Sequence, residues 1–175
     1  LPPHGELVVC LDDACAAGLN GQALRASYGF HADADWRISD YTARPDGGAG
    51  FQLHCAGRGW QVESPLQGEH NARNAVAAIA VADHFGVGLR TSLAALRTFE
   101  APRRRFETKG VVRGIRVVDD YGHHPTEVAA TLRAAREAAA GRVWVVFQPH
   151  TTNRTAALLD EFSGSFGDAD RVLLL

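Results

Sequence analysis

The stretch V-V-D-D-Y-G-H-H-P-T-E-V-A, residues 117–129, runs from an apolar, β-type segment through a turn crowded with ionisable groups into a segment with helical spacing. Pro125 suits the first turn of a helix, where its missing N–H is not needed, and Glu127 suits the positive end of that helix's dipole. Strand, charged turn, helix is the order that decides the fold of the rest of the chain. Ile115 to Val118 reads as a strand, 125–140 as a helix, Val143 to Phe147 as a strand, 155–166 as a helix and Val172 to Leu175 as a strand. The strand cores are apolar on both faces, so this β-α-β-α-β order predicts an α/β, Rossmann-like unit with a parallel sheet covered by helices.

Upstream the pattern differs. Leu7 to Leu11 reads as a short buried strand ending in Asp12-Asp13. Residues 36–62 alternate loosely and break at Pro45-Asp-Gly-Gly-Ala-Gly50 and Gly57-Arg-Gly59, which predicts short antiparallel strands joined by hairpin turns. The alanine-rich run from Asn71 to Phe85 has apolar residues at helical spacing and stops at Gly86, a helix C-cap signal; a second amphipathic helix covers about Arg90 to Phe99. Ala101-Pro-Arg-Arg-Arg105 is the boundary, because proline ends the helix and three successive cations do not belong in a core. Two domains are therefore expected, 1–102 and 103–175.

Composition narrows the function classes. A net charge of -2 gives no electrostatic reason to expect nucleic acid or an anionic membrane. No apolar run reaches the roughly 20 residues needed to cross a bilayer, and no cationic, apolar signal pattern opens the sequence. Cys10, Cys15 and Cys55 form no C-x-x-C pair and are odd in number, as expected of thiols in a reducing compartment such as the cytoplasm. Methionine is absent throughout and the last residues read as a strand with no loop after it, so an excerpt of a longer protein is expected.

In open α/β sheets, ligands bind beyond the carboxyl ends of the strands. Asp119 to His124 follows one predicted strand and Gln148-Pro-His-Thr-Thr-Asn-Arg154 follows the next. The handedness of β-α-β crossovers then brings both loops to one sheet edge, as the tips of neighbouring parallel strands. His123, His124 and the first amides of the following helix would face an anion held there. Adjacent acids and histidines also suit a metal, but neighbouring residues point apart whereas tetrahedral sites draw on spaced ligands. One of the aspartates reads as an ordinary solvated strand end, and His150 as an ordinary loop residue. A second cluster, Gly68-Glu-His-Asn-Ala-Arg-Asn-Ala75, opens the alanine-rich helix. Asn71 and Asn74 share a face there, and an amide offers the donor and acceptor that an adenine edge needs. Capping by Asn71 would explain one of these residues, not His70 or Asn74. Arg103-Arg-Arg105-Phe106 supplies a forked donor at the joint, where a solvated basic linker is the plainer reading.

G-E-H-N-A-R-N-A (68–75), R-R-F (104–106), D-D-Y-G-H-H-P-T-E (119–127) and F-Q-P-H-T-T-N-R-T (147–155) together resemble the Mur ligase family, in matching order and spacing along essentially the whole chain. D-D-Y-G-H-H-P-T-E with Q-P-H is the specific part. The resemblance implies that 1–102 is the C-terminal part of a central ATP-binding domain, mixed β with helices, and that 103–175 begins a Rossmann-like ligase domain. It implies that His70, Asn71 and Asn74 contact adenine, that Asp120 holds the ribose hydroxyls and that Arg105 approaches the phosphates. Tyr121, His123 and His124 would face the incoming amino acid and the acyl phosphate, with His150 and Arg154 in the second loop over that site. His123 and Arg105 are the catalytic candidates. Relatives often carry an arginine directly after Pro-His where Thr151 stands, which leaves orientation by that loop to Arg154.

The implied reaction uses ATP to phosphorylate the lactyl carboxylate of UDP-N-acetylmuramate. The amine of L-alanine then attacks the acyl phosphate, and phosphate leaves. Mg2+ and cations would stabilise the charge, with the metal's ligands mainly outside these residues. His123 would place the amine or take its proton. No G-x-x-x-x-G-K-[S/T] or G-x-G-x-x-G occurs, so the 175 residues alone are expected to be inactive. The alternatives are another Mur-type ligase, such as the murein-peptide enzyme (typically phenylalanine at the place of Tyr121), and a non-catalytic nucleotide-binding module. The oligomeric state is left open.

Overall fold

A computed structural model of the chain describes residues 5–19, 24–44 and 47–175. It divides into two compact units, Leu1–Phe99 and Glu100–Leu175.

The first unit is built on one sheet of five strands: β1 (Glu6–Cys10), β2 (Leu24–Gly29), β3 (Trp36–Ala43), β4 (Ala49–Cys55) and β5 (Arg58–Ser64), in that spatial order. β1, β2 and β3 run parallel, and β3, β4 and β5 are antiparallel, as the hairpin signals predict for the last three. Residues 45 and 46 of the first predicted turn lie outside the described residues. The second turn is two residues long: Cys55 pairs with Arg58, and Ala56 and Gly57 have φ of 47° and 71°, the left-handed pair a tight hairpin requires. A short helix α1 (Ala14–Ala17) follows β1, capped by the Asp13 carboxylate.

α2 (Glu69–His84) covers the sheet, and α3 (Leu89–Arg97) follows it. On α2 the buried residues are Ala72, Ala75, Val76, Ile79 and Ala80, the spacing of one helix face. Ala72, Val76 and Ile79 close a core with Ile38, Phe51, Leu53 and Val62. Gly86, at φ 79°, turns the chain away from α2 as the sequence predicts.

β2 was not anticipated. Its segment L-R-A-S-Y-G has no apolar alternation, because a polar residue lies in its interior. Ser27 is buried, and its N–H and hydroxyl both donate to the Asp35 carboxylate at 2.8 and 2.6 Å, so the burial is satisfied. Gly29 ends the strand at φ 140°, and a Cβ there would come within 2.7 Å of the Asp12 carboxylate. That carboxylate cannot swing aside, since the N–H groups of Phe30 and His31 and the Arg73 guanidinium all hold it. Gly29→Ala is therefore expected to destabilise the first unit by about 2 kcal/mol, from backbone strain and the lost approach of Asp12. Urea unfolding followed by tryptophan fluorescence measures it; a change under about 0.5 kcal/mol would contradict the account.

The second unit contains β6 (Glu107–Val112), β7 (Ile115–Asp119), α4 (Pro125–Ala138), β8 (Trp144–Phe147), α5 (Thr152–Ala157), α6 (Leu159–Gly164) and β9 (Arg171–Leu174). Pro125 opens α4 as predicted, and β8 and β9 are parallel as predicted. The structure corrects three expectations. First, β7 is paired not with β8 but with β6, in an antiparallel hairpin closed by Arg113 and Gly114 at φ 53° and 78°. Second, the helix expected at 155–166 is two short ones, broken at Leu158, whose ψ of 29° leaves the helical range. Third, among the described residues helices cover these strands on one face only. Val128 and Leu132 of α4 and Phe162 of α6 pack on Val143 and Phe147, whereas Val117, Trp144, Val146 and Leu174 are exposed.

Among the described residues no helix is long and apolar enough to cross a membrane.

Candidate active site

In the second unit the crowded turn leaves β7 at Asp119. The two aspartates there have different work. Asp120 is half-buried and accepts three hydrogen bonds from its own chain. Its Oδ1 accepts from Gly122 N–H at 2.7 Å and from the Thr131 hydroxyl at 3.2 Å, and its Oδ2 from Phe106 N–H at 2.8 Å. Asp119 instead pairs with the Arg104 guanidinium at 3.4 Å, near the surface.

The linker R-R-R-F is stitched to this turn. Tyr121 N–H donates to Arg104 O at 2.8 Å, and the Glu107 carboxylate accepts from Arg104 N–H at 2.9 Å. Arg104 and Phe106 both sit at positive φ (60° and 49°), a conformation held by those bonds. The Arg104 guanidinium lies 4.9 Å from the centre of the Tyr121 ring, a cation–π contact. Sequence reasoning chose Arg105 and passed over Arg104. Arg105 is exposed, and its charge acts on Glu127.

Three predicted residues converge. The Tyr121 ring lies 5.2 Å from that of His123 and 6.0 Å from that of His150, and the two histidine rings are 6.0 Å apart. Two loops far apart in sequence thus share one wall at the N-terminus of α4, although β7 and β8 share no ladder. His124 is the N-cap of α4, its Nδ1 accepting from Thr126 N–H at 3.3 Å. Glu127, valued in the sequence only for the helix dipole, accepts from His123 N–H at 3.0 Å and stands 3.6 Å from His123 Nδ1. Burial pushes the Glu127 carboxyl up, but the His123 N–H, the His123 ring and Arg105 outweigh it and hold the carboxyl below its ordinary value. Arg154 lies in α5, half-buried. Exposed cations and ring edges beside a helix N-terminus make this wall suited to an anionic, planar reacting group.

In the first unit, His70, Asn71 and Asn74 occupy the first turns of α2. His70 and Asn71 are half-buried and Asn74 is exposed. Asn71 does not cap the helix; Gly68 does, its N–H fixed to the Tyr41 hydroxyl at 2.8 Å. One Asn71 amide hydrogen is committed to Gln67 O at 2.7 Å, so its side-chain oxygen and the whole Asn74 amide remain for a base edge. Arg73, between them, was passed over. Its Nε donates to Asp12 at 2.6 Å and its guanidinium stacks 4.7 Å from the Phe30 ring, so it ties these turns to the carboxyl ends of β1 and β2. Burial raises the Asp12 carboxyl, but Arg73 and the amides of Phe30 and His31 prevail and lower it. An open cavity lined by Trp36, Trp60 and Asp83 lies at the other end of α2, away from these amides. Among the described residues no three His, Cys, Asp or Glu side chains gather to hold a metal ion, and the three cysteines are free thiols.

A mixed-sheet unit with amides at a helix entry, and a second unit with a basic, imidazole-lined wall, define the class by architecture: two-unit α/β proteins with polar groups gathered at helix entries. Comparison with known proteins makes the class specific. The family description "Mur ligase middle domain" matches residues 1–82, and "Mur ligase, glutamate ligase domain" matches residues 104–175. The chain belongs to the Mur ligase family. It is 46% identical to the UDP-N-acetylmuramate–L-alanine ligase of Saccharopolyspora erythraea, over all of this chain and 37% of that protein. To the ligase of the same name from Caldanaerobacter subterraneus it is 38% identical, over 99% of this chain and 38% of that protein. The chain therefore spans a little over a third of the length of these curated relatives. Among solved structures it resembles the UDP-N-acetylmuramate–alanine ligase of Thermotoga maritima (TM-score 0.70, 27% identity, 85% of this chain, 33% of that one). It also resembles a murein peptide ligase of Psychrobacter arcticus (TM-score 0.68, 29% identity, 99% of this chain, 38% of that one).

Proposed function

We propose that the chain is part of an ATP-dependent, ADP-forming ligase that joins L-alanine to UDP-N-acetylmuramate in peptidoglycan synthesis, in the cytoplasm. The names of its relatives support the reaction, and the meeting of Tyr121, His123 and His150 within 6.0 Å of one another carries the reading in the structure. A module that only bound nucleotide would need none of these three side chains.

In this reading residues 1–102 complete the ATP-binding domain. Asn74 and the free oxygen of Asn71 read the adenine edge, and His70 flanks it. Residues 103–175 begin the ligase domain. Arg105, with Arg104 beside it, draws phosphate oxygens to the turn, and the one acceptor direction left on Asp120 faces a ribose hydroxyl. Tyr121, His123 and His124 line the place of the incoming amine, and His150 and Arg154 hold the second loop over it. Magnesium supplies electrophilic charge for phosphoryl transfer when bound. Among the described residues no carboxylates gather to hold it.

The acceptor is the testable part, because the acceptor wall lies within this chain. The 175 residues are to replace the matching segment of the Caldanaerobacter ligase, and ADP release is to be followed with each substrate omitted in turn. Release is expected only with UDP-N-acetylmuramate and L-alanine together. Release with a tripeptide in preference to L-alanine would instead assign the chain to the murein-peptide branch, and release without any acceptor would overturn the reading. The isolated chain is expected to release none.

A further inference from the structure

We infer that His123 and His124, adjacent in sequence, are held in opposite neutral tautomers, and that Glu127 is a positioning residue for the first of them. The inference rests on the proposed reaction only for its consequence, not for its geometry.

His123 Nδ1 lies 2.9 Å from the carbonyl oxygen of Tyr121. A carbonyl oxygen can only accept, so Nδ1 must carry the hydrogen. A neutral imidazole has one N–H, which leaves Nε2 with the bare lone pair. Glu127 strengthens this choice twice. Its carboxylate fixes the backbone of His123 through the N–H at 3.0 Å, and it places a second acceptor 3.6 Å from the same Nδ1. His124 is constrained the other way. Its Nδ1 receives the Thr126 N–H at 3.3 Å, and an N–H can only donate, so Nδ1 carries the lone pair and Nε2 the hydrogen. The order of the motif explains the contrast. Pro125 has no N–H, so the first free amide of α4 is that of Thr126, and the N-cap side chain has to accept from it.

One peptide bond therefore separates an acceptor nitrogen, Nε2 of His123, from a donor, Nε2–H of His124. In the proposed reaction the amine nitrogen forms a bond to the acyl carbon. Its surplus proton passes to Nε2 of His123, and the acyl C–O bond breaks with its electron pair leaving on phosphate. His124 cannot take that proton at Nδ1 without giving up the helix cap, and its Nε2–H suits an oxyanion instead.

Free imidazole in water favours the Nε2–H form, so an unconstrained pair would show that form at both positions. Long-range proton–nitrogen correlation spectra of the 15N-histidine-labelled chain, at a pH where imidazoles are neutral, read the tautomers directly. His123→Gln and His124→Gln variants assign the signals. The expected spectrum has Nδ1–H for His123 and Nε2–H for His124. Glu127→Gln should turn His123 into a mixture and leave His124 unchanged, and Glu127→Asp should partly restore it. Thr126→Pro, which removes the amide that His124 accepts, should release the constraint on His124 and leave His123 in its Nδ1–H form. An Nε2–H signal from His123 in the unaltered chain, or no response of His123 to Glu127→Gln, overturns the inference. Either failure would leave the acceptor assay of the hybrid enzyme untouched, so the two readings fall separately.

Discussion

Asp120→Ala is expected to lower the stability of the second unit by about 3 kcal/mol, whereas Asp119→Ala costs less than about 1 kcal/mol. The two neighbours differ only in what they touch. Asp120 accepts from Phe106 N–H, Gly122 N–H and the Thr131 hydroxyl, so it joins the linker, the turn and α4 at one point. Hydrogen bonds to a charged acceptor are worth about 1.5–3 kcal/mol each, but three on one carboxylate do not add, and partly exposed donors regain water. Asp119 makes one ion pair with a half-exposed arginine, a type worth little. In a unit of this size about 3 kcal/mol corresponds to a fall of roughly 12–24 °C in melting temperature. Calorimetry of both variants measures it, with the transition of the first unit as internal control. Equal shifts for the two variants would refute the division of labour. The carboxylate has about four acceptor directions. With three used, any nucleotide contact by Asp120 has to share a group already committed to holding the turn together.

Much of the second unit could be read from the sequence because its signals were local. Apolar runs fixed β7, β8 and β9, and Pro125 with Glu127 fixed the start of α4. The rule that sites lie beyond strand ends brought His123 and His150 together, and their rings do meet. The route to that meeting was misjudged, since β7 takes β6 rather than β8 as its partner. β6 was invisible because E-T-K-G-V-V is an exposed hairpin strand with a glycine inside it, lacking the buried alternation by which strands are recognised. β2 was invisible for a related reason: its interior Ser27 is made tolerable by Asp35, eight residues away, and no periodicity reports a hydrogen bond. The same limit hid Arg104, Arg73 and Glu127. Each was visible as a charge, but its partner is set by how the backbone folds back: Arg104 on Tyr121, Arg73 on Asp12 and Phe30, Glu127 on His123. For Asp120 the sequence suggested only a ligand contact, and the structure adds three internal hydrogen bonds that no local pattern reports.

His123→Asn in the hybrid enzyme is expected to reduce L-alanine-dependent turnover by about 10²–10⁴-fold, the usual range for losing a positioned general base. Asparagine is the informative replacement. Its amide N–H can occupy the place of Nδ1–H and keep the bond to Tyr121 O, so the turn and the cap of α4 stay formed, and only the Nε2 lone pair is deleted. The effect should therefore fall on amine attack alone. Exchange of label between ADP and ATP with UDP-N-acetylmuramate present and L-alanine absent reports the phosphorylation that the proposed reaction places before amine attack, and should survive within a few-fold. The melting temperature should move by no more than a few degrees, as for a surface change of about 0.5 kcal/mol. A structural role predicts something else: exchange, turnover and melting temperature would all decline together, because His123 sits between Tyr121 and His150 and its loss would loosen the wall they form. A variant that keeps full turnover would remove His123 from the chemistry altogether. The remaining proton acceptor would then have to be sought at His150, whose ring is 6.0 Å from both Tyr121 and His123 and which reaches the same wall from the other loop.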